Sequence, residues 1–481
     1  MNKNKSDGSF LRFPRVFWTA NTLELFERWA YYGIFNLLAL YLTGTTESGA
    51  LGFTQVQKGL IMGIVNAILY FLPIITGAIA DKLGYKKVLI TAFLVLSSGY
   101  YLMGKVSSFP AVFITFFYVA IGAAMFKPII SATVAKSTNE KNASLGFGIF
   151  YMMVNIGGLL GPYMGSELRE INWDLVFIMS SSAILVNLVL CLLFYKEPGR
   201  DGNKKEGIGK IIKNSFSNLI YALSDFRFLL FLLILTGAWT VYWQYFYSLP
   251  VFIDQWNDTS LLYRYLLEHT PGIAHSVGTA NGIINAEKII TLDAFFIVAF
   301  QILISTIVKR FKPLSAMIGG MLVNTIGLYL SFTTQNPFIL VLSIFIFGIG
   351  EMSYSPKILE YIGSIAPKDK AALYMGTQFV PIAFGNFIGG FISGGLYQNL
   401  ADKKTIFARY LLEEKGISGD MKFDQYLSLT GMKASELNNI LWNFSHPEKF
   451  GMILLVMGIA TAVILGIYNF FTQHNKRKGA E

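Results

Sequence analysis

The chain has few of the charged residues that a water-soluble protein of its length needs. Of its 481 residues, 14% are charged and 53% are hydrophobic, whereas soluble domains carry about 25% charged residues. Soluble domains also need a charged surface to stay dissolved. We therefore predict that the chain lies in a lipid bilayer. We expect the protein to be a monomer.

Cysteine and histidine are also scarce. The single cysteine, Cys191, lies within an apolar run, so the chain cannot form an internal disulfide. The four histidines lie outside the apolar runs and show no metal-ligand spacing with Cys191. No glycine-rich phosphate loop follows a strand pattern. The sequence thus predicts no enzyme, no catalytic residues, no metal site and no cofactor.

The net charge of +10 raises nucleic-acid binding as an alternative. The lysines and arginines, however, fall in short clusters between the apolar runs, which is typical of membrane topology and not of a phosphate-binding stripe. We predict no nucleic-acid partner. The predicted surroundings are lipid.

Twelve apolar runs have the length needed to cross about 30 Å of hydrocarbon as a helix. This pattern predicts an all-α membrane protein with twelve transmembrane helices in two six-helix bundles. The predicted spans are 15–43, 57–80, 87–104, 109–135, 142–166, 173–195, 228–254, 288–308, 313–333, 337–365, 370–398 and 450–472.

A polar, basic and glycine-bearing segment from Lys196 to Asn218 divides the runs into two sets of six. The part of it after Ile208 has helical periodicity with a basic face, which favours a helix on the membrane surface. The predicted domains are a six-helix bundle over 1–196, a basic cytoplasmic linker over 197–227, a second six-helix bundle over 228–472 and a basic cytoplasmic tail over 473–481.

The second bundle includes a long outer loop, 399–449, in which apolar residues recur at helical spacing. Two short amphipathic helices are expected there, either as a cap on the outer face or as a lid that gathers substrate. Outside this loop, lysines and arginines concentrate on the side of both termini. We therefore predict a multi-pass protein of the cell (inner) membrane with both termini in the cytoplasm.

A charged residue within a predicted span costs free energy, so it needs an ion-pair partner, a water-filled cavity or a function. In ELFERWAYYG the spacing places Glu24, Glu27 and Arg28 on one face of the first span. Two acids and one base leave one negative charge that needs a further cation, and Lys127 in the fourth span is the obvious candidate. Such a cluster can take up a proton at one carboxylate. The alternative is a purely structural ion-pair network.

Asp293 is the only ionised side chain in the apolar run 289–308. It should therefore face a cavity and not lipid. Two interpretations stay open, a proton-carrying acid and a fixed, hydrogen-bonded neutral acid.

A charged loop follows the second span, in GAIADKLGYKK. Asp81 there is placed to interact with a helix N-terminus and with the charges of Lys86 or Lys87, which would form a conformational latch. A solvated turn is the alternative.

Several of these motifs together resemble the proton-coupled oligopeptide transporter family of the major facilitator superfamily. Glu24, Glu27 and Arg28 match its ExxER signature, and FYMMVNIGGLLGPYMG is similar to its fifth-helix signature. Lys127 matches the fourth-helix lysine, and GEMSYSPKILEYIGSIAP resembles the tenth-helix pattern, with Glu351 as its acid. GAIADKLGYKK is similar to a loop found throughout the superfamily.

The resemblance implies a major-facilitator-type fold and a proton-coupled symporter of short peptides or peptide-like zwitterions, working by alternating access. Protons are then a partner, coupled through the first-helix cluster and Lys127. The resemblance also implies that Lys127 holds the substrate carboxylate and that Glu351 takes the amino group. Tyr31, Tyr32 and Asn155 would line the cavity.

The sequence departs from the family pattern at four positions. Phe35 stands where peptide carriers have an arginine, Trp243 replaces an acid, Asp293–Ala294 replaces Asn-Pro, and Gln378 replaces a tryptophan. Asp293 could replace the missing span-seven acid as a proton carrier. The changes make the predicted pocket, with Phe35, Trp243 and Gln378 as substrate-binding residues, more aromatic. The alternative function is a major facilitator carrier, including an exporter, of a non-peptide metabolite or drug-like solute.

Overall fold

The structure is a computed structural model that describes residues 13–139, 142–197, 207–367, 370–418 and 421–478. All regular elements in these ranges are helical, apart from one isolated antiparallel bridge between Gly278 and Ile284. The predicted all-α fold is confirmed.

The helices of the first part of the chain begin and end at clear local signals. The Asn172 side chain caps α7 by accepting from the Asp174 backbone N–H at 2.8 Å. Gly84, with φ at 101°, ends α3 and turns the chain into α4, a conformation that favours glycine. The helices are α1 (Arg15–Thr43), α2 (Gln55–Phe71), α3 (Pro73–Leu83), α4 (Tyr85–Met103), α5 (Phe109–Lys136), α6 (Ala143–Ile171), α7 (Trp173–Phe194) and α8 (Ile208–Leu223), with a 3₁₀ turn at Thr46–Ser48.

In the second part of the chain, several predicted spans are interrupted helices. The seventh span breaks at Trp243 and Ser248, the eighth at Thr291 and the eleventh at Thr377. The helices are α9 (Phe226–Tyr242), α10 (Gln244–Tyr247), α11 (Leu249–Trp256), α12 (Ser260–His269), α13 (Pro271–Val277), α14 (Ala286–Ile290), α15 (Leu292–Val308), α16 (Pro313–Thr333), α17 (Pro337–Ile365), α18 (Ala371–Gly376), α19 (Phe379–Phe391), α20 (Tyr397–Leu400), α21 (Lys403–Lys415), α22 (Phe423–Thr430), α23 (Ala434–Ser445) and α24 (Lys449–Lys478), with a π-helical turn at Ile392–Leu396.

Among the described residues, nine helical segments are long and apolar enough to cross a membrane. The bent pair α2 and α3 makes a tenth when it is counted as one span. Helices α1 and α4 occupy the two remaining predicted spans, at Arg15–Thr43 and Tyr85–Met103. The predicted number of twelve is consistent with this architecture.

The chain packs into two compact units. The first consists of Met1–Ile34 and Leu72–Ser217, and the second of Phe35–Phe71 and Asn218–Glu481. In the first unit α5 and α7 pack on α4. In the second unit α17 and α24 pack on α16, and α2 and α9 pack on α19. The division into two six-helix bundles joined by residues 197–227 stays a prediction, and residues 198–206 of that linker lie outside the described ranges.

The outer loop contains three short helices, α21, α22 and α23, where the sequence predicted two. They bury apolar side chains, and Trp442 of α23 packs edge-on against Phe252 and Trp256 of α11, with ring centres 6.0 and 5.5 Å apart. At the exposed end of the loop, the Lys422 ammonium group donates a 2.5 Å hydrogen bond to Glu47 and so lowers the pKa of that carboxyl. These contacts favour a packed cap.

Candidate functional site

In the first unit, the structure brings together the four charged residues of the predicted proton-coupling cluster. The Lys127 ammonium nitrogen lies 2.8 Å from Oε1 of Glu24, and Nε of Arg28 lies 3.4 Å from the same oxygen. Arg28 also donates to Oε2 of Glu27, at 2.6 Å from Nε. With two acids and two bases, the cluster balances its formal charge.

The cluster is buried, and each of its acids has an oxygen without a donor. Both glutamates are fully buried, whereas the Lys127 side chain is 36% exposed. Glu24 Oε2 and Glu27 Oε1 are buried and have no hydrogen-bond partner among the described residues. A buried carboxylate oxygen in this state is an acceptor for a proton or for a donor from outside.

Helix α6 fixes the cluster by approaching α1 without side chains between them. A Cβ atom added at Gly157 would stand 2.7 Å from the Cβ of Arg28, and one at Gly161 would stand 2.4 Å from the Trp29 carbonyl oxygen. Both distances are below ordinary contact. The glycines of the fifth-helix signature therefore let its backbone touch the helix that carries the ExxER signature.

Aromatic rings flank the arginine of the cluster. The guanidinium carbon of Arg28 lies 4.9 Å from the centre of the Tyr31 ring and 5.7 Å from that of Tyr32, which are cation–π distances. On α6, the Asn155 side chain donates to the Tyr151 carbonyl oxygen at 2.8 Å. The part of these residues in lining a cavity stays a prediction.

In the second unit, Glu351 of α17 lies beside a hydroxyl group and a second acid. The Tyr242 hydroxyl donates to Glu351 Oε1 at 3.1 Å. Asp293, at the start of α15, is 5% exposed, and its carboxyl group lies within hydrogen-bonding reach of Glu351. The two predicted site residues are therefore neighbours, a contact that the sequence analysis did not predict.

Phe35 and Trp243 meet in an aromatic group of the second unit. Their ring centres lie 6.1 Å apart, nearly edge to face. The ring centre of Phe246 lies 5.6 Å from that of Phe35, and the ring centre of Tyr70 lies 5.6 Å from that of Trp243. The Trp243 indole N–H is buried and has no acceptor within the described part of the chain. Gln378 lies at the break between α18 and α19.

The predicted latch residues have other hydrogen-bond partners in this structure. Asp81 accepts from the Tyr85 hydroxyl at 2.6 Å, and the Lys86 ammonium group donates to the Leu192 carbonyl oxygen at 2.9 Å. Lys87 is exposed on α4. A latch between Asp81 and these lysines stays a prediction.

Sequence reasoning missed Lys58, which is fully buried near the start of α2. Its ammonium group donates to the Tyr247 carbonyl oxygen at 2.8 Å and lies 5.1 Å from the centre of the Tyr397 ring. The next residue, Gly59, meets Gly390 of α19 so closely that an added Cβ would stand 2.2 Å from its carbonyl oxygen. The signal was available, because Lys58 lies inside the predicted span 57–80.

The model of the Major Facilitator Superfamily matches residues 18–267 and 269–408. The chain belongs to this superfamily. Membership agrees with the prediction of a transport protein and not an enzyme. Over 193 residues the chain is 28% identical to a "Di-/tripeptide transporter" of Lactococcus lactis subsp. lactis (strain IL1403). The aligned region covers 39% of this chain and 39% of that protein. This chain therefore matches about two fifths of the length of that curated relative.

Two further similarities extend over more of the chain. "Multidrug resistance protein MdtH" of Salmonella paratyphi B (strain ATCC BAA-1250 / SPB7) is 25% identical over 357 residues, which cover 72% of this chain and 78% of that protein. A solved structure described as a POT family transporter in complex with 5-aminolevulinic acid has a TM-score of 0.70 at 18% identity, covering 96% of this chain and 97% of the other. The resemblance to oligopeptide transporters, and the major-facilitator fold, are confirmed.

Proposed function

We propose that this protein is a secondary active transporter that carries short peptides or peptide-like zwitterions together with protons, as a symporter, by alternating access. The observation that carries the proposal is the buried cluster of Glu24, Glu27, Arg28 and Lys127, which is balanced in charge and has carboxylate oxygens without donors. A merely structural network would be expected to satisfy those oxygens.

Charge balance couples the proton to the substrate. When a proton forms an O–H bond on Glu24 or Glu27, the cluster of two acids and two bases becomes positive by one charge. An uncompensated buried cation is unfavourable. A substrate carboxylate that binds Lys127, the partly exposed member, restores the balance. Proton and carboxylate therefore bind best together, which is the requirement for symport.

The remaining roles follow the same chemistry. We assign the substrate carboxylate to Lys127 and its amino group to Glu351, whose Oε2 is buried without a donor among the described residues. Asp293 is a second candidate proton carrier. Tyr31, Tyr32, Asn155 and Gln378 are assigned as polar lining.

The aromatic departures bear on which substrate is carried. Phe35 and Trp243 place rings where peptide carriers have an arginine and an acid, and these rings favour a substrate with an apolar or aromatic side chain. Trp243→Ala is expected to reduce the preference for alanyl-phenylalanine over dialanine by about tenfold, the effect of losing about 1.4 kcal/mol of contact. Trp243→Phe, which keeps a ring, should retain most of the preference; equal loss in both variants would contradict a ring contact.

Orientation and surroundings belong to the same proposal. The excess of lysines and arginines on the side of both termini supports a cytoplasmic location for them. We place the protein in the cell membrane as a monomer. Cysteine labelling from the two sides of sealed vesicles tests the orientation.

The central test is uptake by the purified protein in liposomes. We expect an inward proton gradient to increase uptake of labelled dipeptides, and Glu27→Gln to lose at least about 100-fold of that stimulation. Glu47→Gln is the matched control, because Glu47 is 62% exposed and lies outside the cluster. Counterflow without a gradient should persist in Glu27→Gln. Uptake that ignores the gradient in the unmodified protein would refute proton coupling.

A second candidate is a carrier of a drug-like solute, including an exporter. The similarity to the multidrug resistance protein covers 72% of this chain, and Phe35 and Trp243 remove charges from the peptide-type pattern. An outwardly directed transport assay with lipophilic cations, run beside the dipeptide assay, separates the two. Transport of the cations but not of any dipeptide would establish this second function.

A further inference from the structure

Two acids of the second unit face each other across a helix contact. Asp293 lies at the start of α15, Glu351 lies in α17, and the two helices pack together. Gly348 stands one helical turn before Glu351, and a Cβ added to it would lie 2.8 Å from Asp293 Oδ1. The absence of a side chain at Gly348 thus allows the Asp293 carboxyl group to lie against α17 at the level of Glu351.

Among the residues that the structure describes, neither acid of this pair lies against a lysine or an arginine. In the described part of the chain, the titratable groups that face the pair are the phenols of Tyr242, Tyr245 and Tyr354. The lysines that flank the two acids in sequence have other partners, because Lys288 donates to the Val277 carbonyl oxygen and Lys357 lies 2.7 Å from Glu360. Two ionised carboxylates this close, in surroundings of low dielectric, would repel each other strongly and could not hydrogen-bond. One proton between the two carboxyl groups removes the repulsion and supplies the hydrogen bond.

Each acid also has a free acceptor directed into protein. Asp293 Oδ1 and Glu351 Oε2 are buried and have no hydrogen-bond partner within the described ranges. Buried carboxylate oxygens without donors are uncommon. They indicate that a donor, either a proton or the N–H of a bound group, belongs at this place.

We propose that Asp293 and Glu351 share one proton and act as a single site of charge −1, which binds either a second proton or one ammonium group. The shared proton forms a bond to one carboxyl oxygen and a hydrogen bond to the other. Binding of a second proton gives two neutral acids, and binding of an ammonium group gives a neutral complex without release of the first proton. Substrate amine and second proton are therefore competitors.

This arrangement accounts for the replacement of an asparagine by Asp293. An added acid that shares its partner's proton leaves the net charge of the site unchanged. The shared proton stands without any assumption about transport, whereas the binding of the substrate amine rests on the proposed function. The two parts are tested by different measurements.

The shared proton is tested by infrared difference spectra of the protein in lipid without substrate. Subtracting the Asp293→Asn/Glu351→Gln double variant isolates the pair. We expect a protonated-carboxyl band that persists well above about pH 4, where ordinary carboxyl groups ionise. In Asp293→Asn and in Glu351→Gln the band should titrate away at a pH about one unit lower, a tenfold loss of proton affinity.

Glu47→Gln, a change of an exposed glutamate outside the pair, is the matched control and should leave the band unaltered. Asp293→Glu and Glu351→Asp keep both acids and should retain it, which separates loss of the pair from misfolding. If each single variant keeps half of the band with an unchanged midpoint, the acids titrate independently and the proposal is wrong.

Binding of alanyl-phenylalanine and of its N-acetylated form tests the ammonium site. Each single variant retains one negative charge, so it should lose less than about tenfold in affinity for the free-amine dipeptide, and the double variant should lose at least about 100-fold. The acetylated form should respond much less. If Glu351→Gln alone equals the double variant, the pair is not one site. An unmodified protein that binds no dipeptide would refute the proposed substrate, while the infrared titration still decides the shared proton.

Discussion

The two units keep buried acids by opposite means. In the first unit Glu24 and Glu27 each lie against a cation, Lys127 or Arg28. In the second unit Asp293 and Glu351 lie against each other, and the Tyr242 hydroxyl donates to Glu351. Charge pairing makes the first cluster respond to a proton by becoming positive. If the second unit holds a proton-sharing acid pair, a further proton removes the negative charge of that pair. Lower pH is therefore expected to favour binding of a zwitterion's carboxylate at the first unit and to weaken binding of its ammonium group at the second.

The strongest way to break this comparison is to remove one of the two cations of the first unit. Arg28→Ala leaves Glu27 buried without its partner, and we expect a loss of about 3–5 kcal/mol in stability. Thermal unfolding in lipid or detergent measures it. The double change Arg28→Ala/Glu27→Gln should recover part of the loss. An undiminished melting temperature in Arg28→Ala would show that charge pairing does not hold the cluster together.

A smaller effect is expected from displacing the helix that carries the cluster. Gly161→Ala places a Cβ within 2.4 Å of the Trp29 carbonyl oxygen, and overpacking of this kind costs about 1–3 kcal/mol. Gly148→Ala, on the same helix with open space around it, is the matched control. Melting temperatures of the pair check the prediction, and equal values would argue against a tight contact between α1 and α6.

The pH dependence of dipeptide uptake sharpens the comparison at the second unit. Asp293→Asn leaves Glu351 with the same single charge but without the shared proton that stabilises that charge, so Glu351 should take up the competing proton more readily. We expect the acid-side decline of uptake to move to higher pH by about one unit, with the maximal rate changed less than about tenfold. An unchanged profile would remove Asp293 from the proton chemistry.

The smallest effect is expected at the exposed ion pair of the outer loop. Lys422→Ala removes the hydrogen bond that lowers the pKa of Glu47. A lowered carboxyl pKa stabilises the fold above the unfolded value and loses that effect as the pH falls through the folded value. Because both groups are exposed and screened by solvent, no measurable change in melting temperature is expected. A clear drop at neutral pH would show that the loop is anchored through this pair.

Local spacing was sufficient to predict the cluster of the first unit. Glu24, Glu27 and Arg28 lie three and four residues apart, and helix geometry alone places such residues on one face. The charge that they leave uncompensated pointed to Lys127. The major-facilitator fold followed from the apolar runs and the motifs.

What the sequence did not predict depends on packing between distant segments. Asp293 and Glu351 meet only because α15 packs on α17 beside Gly348. The interruptions at Trp243 and Thr291 carry no proline or glycine, so local propensity predicted continuous helices. Phe35 lies in the first predicted span but packs with rings of the seventh. Such contacts require the tertiary structure.

The backbone contact beside Lys58 has a consequence for how this protein can vary. Gly59, Gly63 and Gly390 touch through main-chain atoms, so any larger residue there would force α2 away from α19. On the proposed function, variation that alters substrate preference is therefore expected at aromatic residues such as Phe35 and Trp243 and not at these glycines. The contact between these three glycines sets the distance between α2 and α19, and substitution of the aromatic side chains does not change that backbone contact.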